Sequence, residues 1–532
     1  MHVVRFILIL VWLSASAAMA SAQVSDMGSL IDTYRHLKNV QEKDDPNLVR
    51  AEALDRQSRE AMDRGNPELA AKLLKEAIDM LKLKGPSPGK PADLREAILS
   101  VSDASTVVKT LPYSDDAASM RSPFGIFGPY QFVLDSREIM NHEKINGYLT
   151  DLGVKWVQEM PMGIKFVPDF INIYSRVGRE GGCKPPNIDY ETYKRALRQS
   201  IRENKGRVKY WEVDSEPGGL SPPMGWKGHE KGYADFLKET YLVIKGECPD
   251  CLVVMGGAGG IAGGNRGDLN SAFVQKILDY GAGEYFDVFS FKLHHHKLSD
   301  YVDLKNKLEI YRNIFSEHHI DLKKKMIFLE TAIYDGDPHY AAGHPLSFIT
   351  LPPQTEFQQA SGLVRSYIFA IAQGVDKIFW NEVFERYHFG GAQRNPFNYY
   401  GLVNNPLNDD GRSHKKLAYY AYKKMVEVLE GSDWKNMVKV KEDGGIFIYR
   451  LDRQGKTTTI AWNDGAVESG VVVTGLTSPQ VKVTNAVPIM NSGMDVKDYV
   501  TSFKERIVET EENSVRLMLG LNPVYIEAYI KQ

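Results

Sequence analysis

Two glutamates follow apolar runs and have the residue type and setting needed for acid–base chemistry. Glu216 lies in "VKYWEVDSEPG", where an aromatic run ends at a Ser-Glu-Pro corner, and Glu330 lies in "KKMIFLETA". Two carboxyl groups can divide a reaction, one donating a proton while the other attacks as a nucleophile or activates water. This chemistry requires two side chains that are distant in the chain to meet at one pocket.

From about Ser122, short apolar runs alternate with amphipathic helical patterns. The candidate strands are Phe124–Phe127, Val154–Gln158, Ile171–Ser175, Val208–Val213, Leu252–Gly256, Val288–Leu293, Met326–Leu329 and Val375–Trp380. The candidate helices are Tyr190–Glu203, Tyr233–Lys245, Ala272–Tyr280, Leu304–Glu317, Glu356–Gln373 and His414–Glu430. Eight such strands in alternation with helices predict an α/β fold, a (β/α)8 TIM barrel, with a doubly wound open sheet as the alternative.

A barrel of this kind would bring the two glutamates together. Catalytic groups of such barrels lie at the C-terminal ends of the strands. Glu216 follows the fourth run and Glu330 ends the seventh, so both are expected at one barrel mouth. Two carboxyl groups facing each other there suit the hydrolysis of a glycosidic bond.

Several motifs, in chain order, resemble those of the clan A glycoside hydrolases. "YWEVDSEPG" resembles the strand-four signature, "MGGAGG" strand five, "FDVFSFKLHHH" strand six and "IFLETA" the strand-seven nucleophile run. "LVRSYIFAIAQGVDKIFWNE" is similar to the passage into strand eight, and "GLVNNPLNDDGRSHKKLAYYAYKKM" to the return to the last helix. "NPVYIEA" resembles the final strand of the accessory sandwich, and together the motifs cover most of residues 122–532.

The resemblance implies a retaining mechanism and a role for each matching residue. Glu216 would be the general acid/base, and Glu330 the nucleophile that forms a glycosyl-enzyme intermediate. Trp380 would stack on the sugar, and His294 would hydrogen-bond Glu330 or the substrate.

This sequence departs from the family pattern at two positions. Ser215 stands where the family usually has an asparagine that contacts the sugar, and its hydroxyl reaches less far. Gln158 stands near the place of an arginine that normally supports the nucleophile, and Arg176 is the candidate substitute.

Other polar and aromatic residues are weaker candidates for the same site. Glu212 and Asp214 alternate with Glu216 and are expected as supporting acids inside the barrel. Aromatic residues in the loops after strands four, seven and eight are candidate sugar platforms, and some of them are expected to pack the loops instead: Trp226, Tyr334, Tyr340, Tyr387, Phe389 and Tyr399.

Metal and nucleotide sites are disfavoured. In "HHHK" only His294 and His296 share a strand face, and no H-E-x-x-H partner follows. The glycine-rich "GGAGGIAGGNRGD" lacks the spacing of a phosphate loop. We therefore expect no metal and no cofactor.

The segments outside the barrel have their own patterns. Residues 1–22 resemble a signal peptide cleaved after Ala22, which predicts a secreted or periplasmic protein with no membrane span. Residues 23–84 predict an α-helical hairpin region, in which Gly65 ends one helix and Pro67 begins the next. Residues 85–121 form a linker and lead-in, the barrel spans 122–434, and short β-type runs in 435–532 predict an antiparallel β-sandwich.

Charge and cysteine content limit the partners and the chemistry. The net charge of −3 gives no reason to expect nucleic acid or an anionic membrane as partner. In "ECPDC", a local disulfide between Cys248 and Cys251 is favoured in an oxidising compartment, with two free thiols as the alternative.

The first hypothesis is therefore an exported retaining glycoside hydrolase that cleaves O-glycosidic bonds of an oligosaccharide or glycoside. The alternative is a catalytically weak or inactive carbohydrate-binding protein on a glycosidase barrel. A third hypothesis is a cell-envelope interaction protein, because the helical hairpin cannot bury its own apolar face and packs on the main domain or recruits a protein partner.

Overall fold

The computed structural model describes Leu54, Ser58 and residues 67–82, 119–130, 142–219, 222–223, 225–259, 268–340, 350–386, 394–406, 408–409, 412–465 and 467–529. The chain divides into two compact units, and the first contains residues 1–110. In that unit helix α1 spans Pro67–Lys82 and matches the second helix of the predicted hairpin. The predicted signal peptide, most of the first hairpin helix and most of the linker lie outside the described residues.

In the second unit, eight parallel strands form a closed barrel. Each strand pairs with the next along the chain, and the last pairs with the first. The strands are β1 (Phe124–Phe127), β2 (Trp156–Glu159), β3 (Asn172–Val177), β4 (Val208–Val213), β5 (Leu252–Ala258), β6 (Val288–His295), β7 (Met326–Ile333) and β8 (Lys377–Trp380). The predicted barrel is confirmed, and the open sheet is excluded by the closing pair of strands.

The end of β7 differs from the prediction. The strand continues to Ile333 instead of ending at Leu329, so Glu330 lies inside it. The acid remains in the C-terminal half of the strand and therefore close to the barrel mouth.

Among the described residues, six helices connect barrel strands and a seventh follows β8. They are α2 (His142–Asp151), α3 (Tyr190–Asn204), α4 (Glu230–Glu247), α5 (Asp268–Asp279), α6 (Asp303–Glu317), α7 (Glu356–Ala372) and α8 (Leu417–Leu429). Thr355 and Gln358 form a capping box that fixes the start of α7. Helix α2 was not predicted, because only Ile145 and Leu149 of its residues are buried and its apolar pattern is correspondingly weak.

The C-terminal region is an antiparallel β-sandwich, as predicted. Its strands are β9 (Val438–Asp443), β10 (Ile446–Arg453), β11 (Lys456–Asn463), β12 (Ser469–Val473), β13 (Gln480–Asn485), β14 (Glu505–Glu509), β15 (Val515–Leu519) and β16 (Val524–Ala528). Six strands form one sheet in the order β14-β13-β16-β11-β10-β9, and β12 pairs with β15. Apolar side chains of both sheets, among them Val471, Val483 and Leu517, share one core.

A buried polar network joins the sandwich to the barrel. Helix α7 is buried along its whole length from Gln359 to Ile371, and its Arg365 forms an ion pair with Asp464, which follows β11. The Tyr301 hydroxyl donates to the same carboxylate, and Trp462 Nε1 donates to the Tyr301 oxygen over 2.9 Å. The sandwich is therefore held against the helix that connects β7 to β8.

Cys248 and Cys251 form a disulfide between α4 and β5, which confirms the favoured local bridge. Cys183 is a free, buried thiol. Among the described helices, none combines the length and the apolar character needed to cross a bilayer.

Candidate active site

Side chains that point into the barrel form two layers. The lower layer is aromatic and aliphatic and consists of Phe127, Trp156, Tyr174, Tyr210, Val254, Val288, Phe328 and Phe379. Residues two or four positions further along several of these strands point the same way and form an upper, polar layer toward the mouth. That polar layer consists of Gln158, Arg176, Glu212, Lys292, Glu330 and Asn381.

Glu330 is an acid of the polar layer and is 6% exposed. Lys292 Nζ lies 2.7 Å from its Oε2 atom, and Asn381 Nδ2 donates to its Oε1 atom over 2.7 Å. His294 Nε2 lies 3.3 Å from the same Oε1 atom. Burial raises the pKa of Glu330, but Lys292 and His294 outweigh burial and hold the pKa at about 2. Glu330 is therefore a carboxylate at neutral pH.

Lys292 was missed in the sequence, although a signal for it was present. It interrupts the apolar run "VFSFKLHH", and it is the register partner of Glu330 on the neighbouring strand. A lysine in a strand that is buried on both faces needs a buried partner, because an unpaired charge there is costly. Asn381, which follows Phe379 by two positions on the inward face, was missed as well.

A second network surrounds Glu212. Its Oε2 atom accepts from Gln158 Nε2 over 2.9 Å and from Arg176 Nε over 3.3 Å, and its Oε1 atom accepts from the Gly257 amide over 3.1 Å. Glu212 is thus a supporting acid inside the barrel, as expected. Arg176 does not replace the missing arginine by direct contact with Glu330, because it binds Glu212 and Lys292 takes the position beside Glu330.

Glu216 lies at a backbone corner after β4 and is half-buried. Asp214 and Glu216 both have left-handed backbone angles, with φ of 62° and 48°, which costs non-glycine residues about 1 kcal/mol or more each. The Asp214 carboxylate offsets this cost, since it accepts from the Ser215 amide over 2.8 Å, Trp226 Nε1 over 3.0 Å and Arg179 over 3.2 Å. Asp214 therefore fixes the corner that presents Glu216.

Trp380 does not face the barrel interior, which corrects its prediction as a sugar platform. Its register partners are Thr331 and Ile126, which have the opposite orientation to Glu330 and Phe127. The ring is completely buried, and its Nε1 atom donates to the Tyr400 carbonyl oxygen over 3.0 Å. It packs outside the strands and leaves no ring face for a ligand.

Trp226 and Tyr334 are corrected in the same way. Trp226 is 1% exposed and packs against Phe236, with ring centroids 5.2 Å apart. The fully buried Tyr334 places its hydroxyl 2.9 Å from the His296 carbonyl oxygen and 2.8 Å from that of Pro352. Both residues anchor loops, so neither ring can stack on a substrate in this conformation.

The three successive histidines separate by face. His294 contacts Glu330, whereas His295 points the other way, with its Nε2 atom 3.0 Å from Thr331 Oγ1. His296 is buried beside Tyr340. Burial lowers the pKa of His295 to about 3 and that of His296 to about 4, so both rings are neutral at pH 7. Of the other loop aromatics, Tyr399 is partly buried, and Tyr387 and Phe389 lie outside the described residues.

Glu382 is a further acid that the sequence did not single out. It is 4% exposed, and Arg386 Nε donates to its Oε1 atom over 2.7 Å. Burial raises the pKa of Glu382 to about 7, and the charge of Glu330 adds to this effect while Arg386 opposes it. Glu382 therefore changes its charge near neutral pH, in contrast to Glu330.

Solved structures share this architecture. A family 39 glycoside hydrolase from Bacteroides cellulosilyticus WH2 matches with a TM-score of 0.52 and 15% identity, over 77% of this chain and 82% of that protein. A glucosidase from Croceicoccus marinus matches with a TM-score of 0.50 and 13% identity, over 77% of this chain and 97% of that protein. The resemblance to clan A glycoside hydrolases is confirmed in the fold. No family model matches the chain, and no curated protein matches it.

Proposed function

We propose that this chain is a retaining glycoside hydrolase that cleaves O-glycosidic bonds of an oligosaccharide or glycoside. The observation that supports this most is the state of Glu330. It is an ionised carboxylate inside a barrel mouth, held by Lys292 and Asn381. A nucleophile for an anomeric carbon has to be deprotonated, oriented and shielded from water in this way.

Glu330 and Glu216 divide the proposed reaction. Glu330 attacks the anomeric carbon and forms a covalent ester, while the protonated Glu216 gives its proton to the departing oxygen. Glu216 then removes a proton from the water that hydrolyses the ester. Retention of configuration requires the two carboxyl groups to lie about 5–5.5 Å apart.

The test is a panel of aryl glycosides offered to wild type, Glu330→Ala and the control Glu309→Ala, which changes an exposed glutamate of α6. We expect Glu330→Ala to lose activity by about a thousandfold or more while it remains folded by circular dichroism. The anomer formed first, followed by NMR, is expected to retain the configuration of the substrate. Undiminished turnover by Glu330→Ala, or release of the inverted sugar, would overturn the mechanism.

A carbohydrate-binding protein without turnover is the second candidate. Two observations favour it, namely Ser215 in place of the asparagine and Gln158, which donates to Glu212 and not to Glu330. The same panel separates the two candidates if binding is followed by calorimetry alongside product release. Binding of a glycoside with no product from any member of the panel would favour the second candidate.

We also propose that the protein is exported. The support is the N-terminal sequence, in which an apolar run and small residues precede Gln23. N-terminal sequencing of the protein recovered from periplasm or medium tests this, because an intact Met1 would contradict it.

A further inference from the structure

Phe397 is an aromatic residue beside the barrel mouth that the sequence did not single out. It lies in the short helical turn Pro396–Tyr399, which precedes α8, and its side chain is partly buried. The Phe397 and His294 rings are nearly perpendicular, with centroids 5.3 Å apart. Since His294 Nε2 lies 3.3 Å from Glu330 Oε1, one side chain links Phe397 to the proposed nucleophile.

Two other aromatic rings next to the polar layer are covered. Tyr400 contacts His294 as well, with centroids 5.3 Å apart, but it is 1% exposed. The centroid of the Phe127 ring lies 4.8 Å from Lys292 Nζ, and this residue is 4% exposed. Of these three rings, Phe397 is the one that keeps an accessible part.

The turn that carries Phe397 is anchored by hydrogen bonds. The Asn395 side chain accepts from the Phe397 amide over 3.0 Å. The Tyr399 carbonyl oxygen accepts from Gln359 Nε2 over 2.9 Å and from Lys416 Nζ over 3.3 Å. The ring is therefore held in place by polar contacts of its backbone, and a binding group needs a fixed position of this kind.

Lys416 also ties the turn to the ends of two barrel strands. Its Nζ atom lies 2.7 Å from Asp335 Oδ1 and forms a second ion pair with Glu385. Asp335 follows β7 and Glu385 follows β8, and the side chain of Lys416 is 3% exposed. Because β7 carries Glu330, the Phe397 turn and the proposed nucleophile belong to one framework.

The neighbours of the Phe397 ring set the chemistry of its surroundings. The guanidinium carbon of Arg386 lies over the ring, 5.3 Å from its centroid. Tyr400 contacts the ring at an angle of 67°, with centroids 5.3 Å apart. Apolar rings beside a few polar groups are typical of the lining of ligand pockets.

We propose that Phe397 is a substrate-binding residue whose accessible part packs against the C–H bonds of a pyranose ring. The inference rests on the proposed function and specifies the class of sugar for the same site. Several C–H bonds of a pyranose chair point to one side and carry a slight positive charge, which suits the negative face of an aromatic ring. The contact also removes apolar surface from water. Phe397 thus supplies the platform that the buried Trp380 does not.

The test measures the binding of sugars and not their turnover. Glu330→Gln, which cannot form the ester, is the background for Phe397→Leu, Phe397→Trp and the control Phe170→Leu. Phe170 is 61% exposed and precedes β3, so it lies at the opposite end of the barrel. Each protein is checked by circular dichroism and titrated by calorimetry with p-nitrophenyl gluco-, galacto- and xylopyranosides of both anomeric configurations.

We expect Phe397→Leu to weaken the binding of at least one pyranoside by about tenfold, because leucine offers no aromatic face. Phe397→Trp and the control are expected to stay within about threefold of the background. If Phe397→Leu does not fold, Phe397→Met replaces it.

Leucine and tryptophan separate a binding role from a packing role. A ring that only fills space tolerates leucine better than the larger tryptophan. Unchanged binding by Phe397→Leu, or equal losses in both variants, would therefore overturn the inference, and so would a background that binds none of the pyranosides. If pyranosides bind but the wild type releases no product, the proposed function alone is overturned.

Discussion

The contact between barrel and sandwich and the mouth of the barrel both contain buried charges, but they are arranged differently. At the contact, one cation meets one carboxylate, because Arg365 binds Asp464 and Tyr301 completes the set. At the mouth, Lys292 lies beside Glu330, and the buried Glu382 adds a further acid. The contact is a matched pair that balances one cation against one carboxylate, whereas the mouth contains two acids with different pKa values, about 2 for Glu330 and about 7 for Glu382. The first arrangement suits stability and the second suits a reaction.

The largest expected effect on stability comes from breaking the matched pair. Asp464→Ala leaves the fully buried guanidinium of Arg365 without its carboxylate, which typically costs about 3–5 kcal/mol. We expect a loss of this order in the free energy of unfolding, measured with urea, and unchanged activity per folded molecule. Asp443→Ala removes an exposed partner of Lys441 and is the control, expected to stay within about 0.5 kcal/mol. A small loss in Asp464→Ala would mean that the matched pair does not hold the two regions together.

An intermediate effect, visible only as a pH dependence, is expected at Glu382. Its folded pKa of about 7 lies above the ordinary value of 4.5, so the folded protein binds this proton more tightly than the unfolded chain. The resulting stabilisation is complete below pH 4.5 and is lost as pH rises through about 7. Glu382→Gln, which stays neutral, should therefore be more stable than wild type at pH 8 by up to about 3 kcal/mol, with little difference near pH 4.5.

Urea unfolding of both proteins at pH 5 and pH 8 measures this difference, and Glu309→Gln at an exposed site is the control. Burial also raises the pKa of Glu385 to about 7, but this acid is present in both proteins and cancels from the comparison. Equal changes in wild type and Glu382→Gln would show that Glu382 does not titrate in this range.

The smallest effect on stability is expected for a substitution that adds one methyl group at the barrel mouth and breaks no ion pair. The methyl group of Gly259→Ala would press on Glu216 Oε1, and that carboxyl group can move aside. We expect a roughly tenfold loss of kcat/KM on an aryl glycoside, with a change in unfolding free energy below about 1 kcal/mol. Gly206→Ala, where a methyl group meets open space, is the matched control. Full activity of Gly259→Ala would show that a shift of the Glu216 carboxyl group by this methyl group does not affect catalysis.

The sequence predicted the barrel and sandwich well because their signals are local. Apolar runs, turns and helix caps are set by neighbours in the chain, and β1 and β4 have the bounds expected from their runs alone. The inward face of a strand was harder to predict. Parallel barrel strands are buried on both faces and lose the alternation that marks an interior side. The role of Trp380 was implied by the resemblance, and its apolar run has no alternation that would have shown which face it occupies.

The partners of the candidate site were less predictable, because register and not sequence proximity brings them together. Lys292 and Glu330 meet since β6 and β7 pair with these two residues side by side. Trp226 was predicted to be a substrate-binding residue in a loop. In the structure its ring is buried, and its Nε1 atom donates a hydrogen bond to Asp214. A charged residue within an apolar run was the one available signal, and it would have identified Lys292.

Helix α7 has a consequence for how this protein can be altered or can evolve. From Gln359 to Ile371 it has no side that faces solvent, since its Arg365 is covered by the β-sandwich. If this barrel were combined with a C-terminal domain that lacks Asp464, the buried guanidinium of Arg365 would have no carboxylate partner. Chimeras and truncations should therefore exchange residues 122–532 as a single cassette, and both modules are expected to share one evolutionary history.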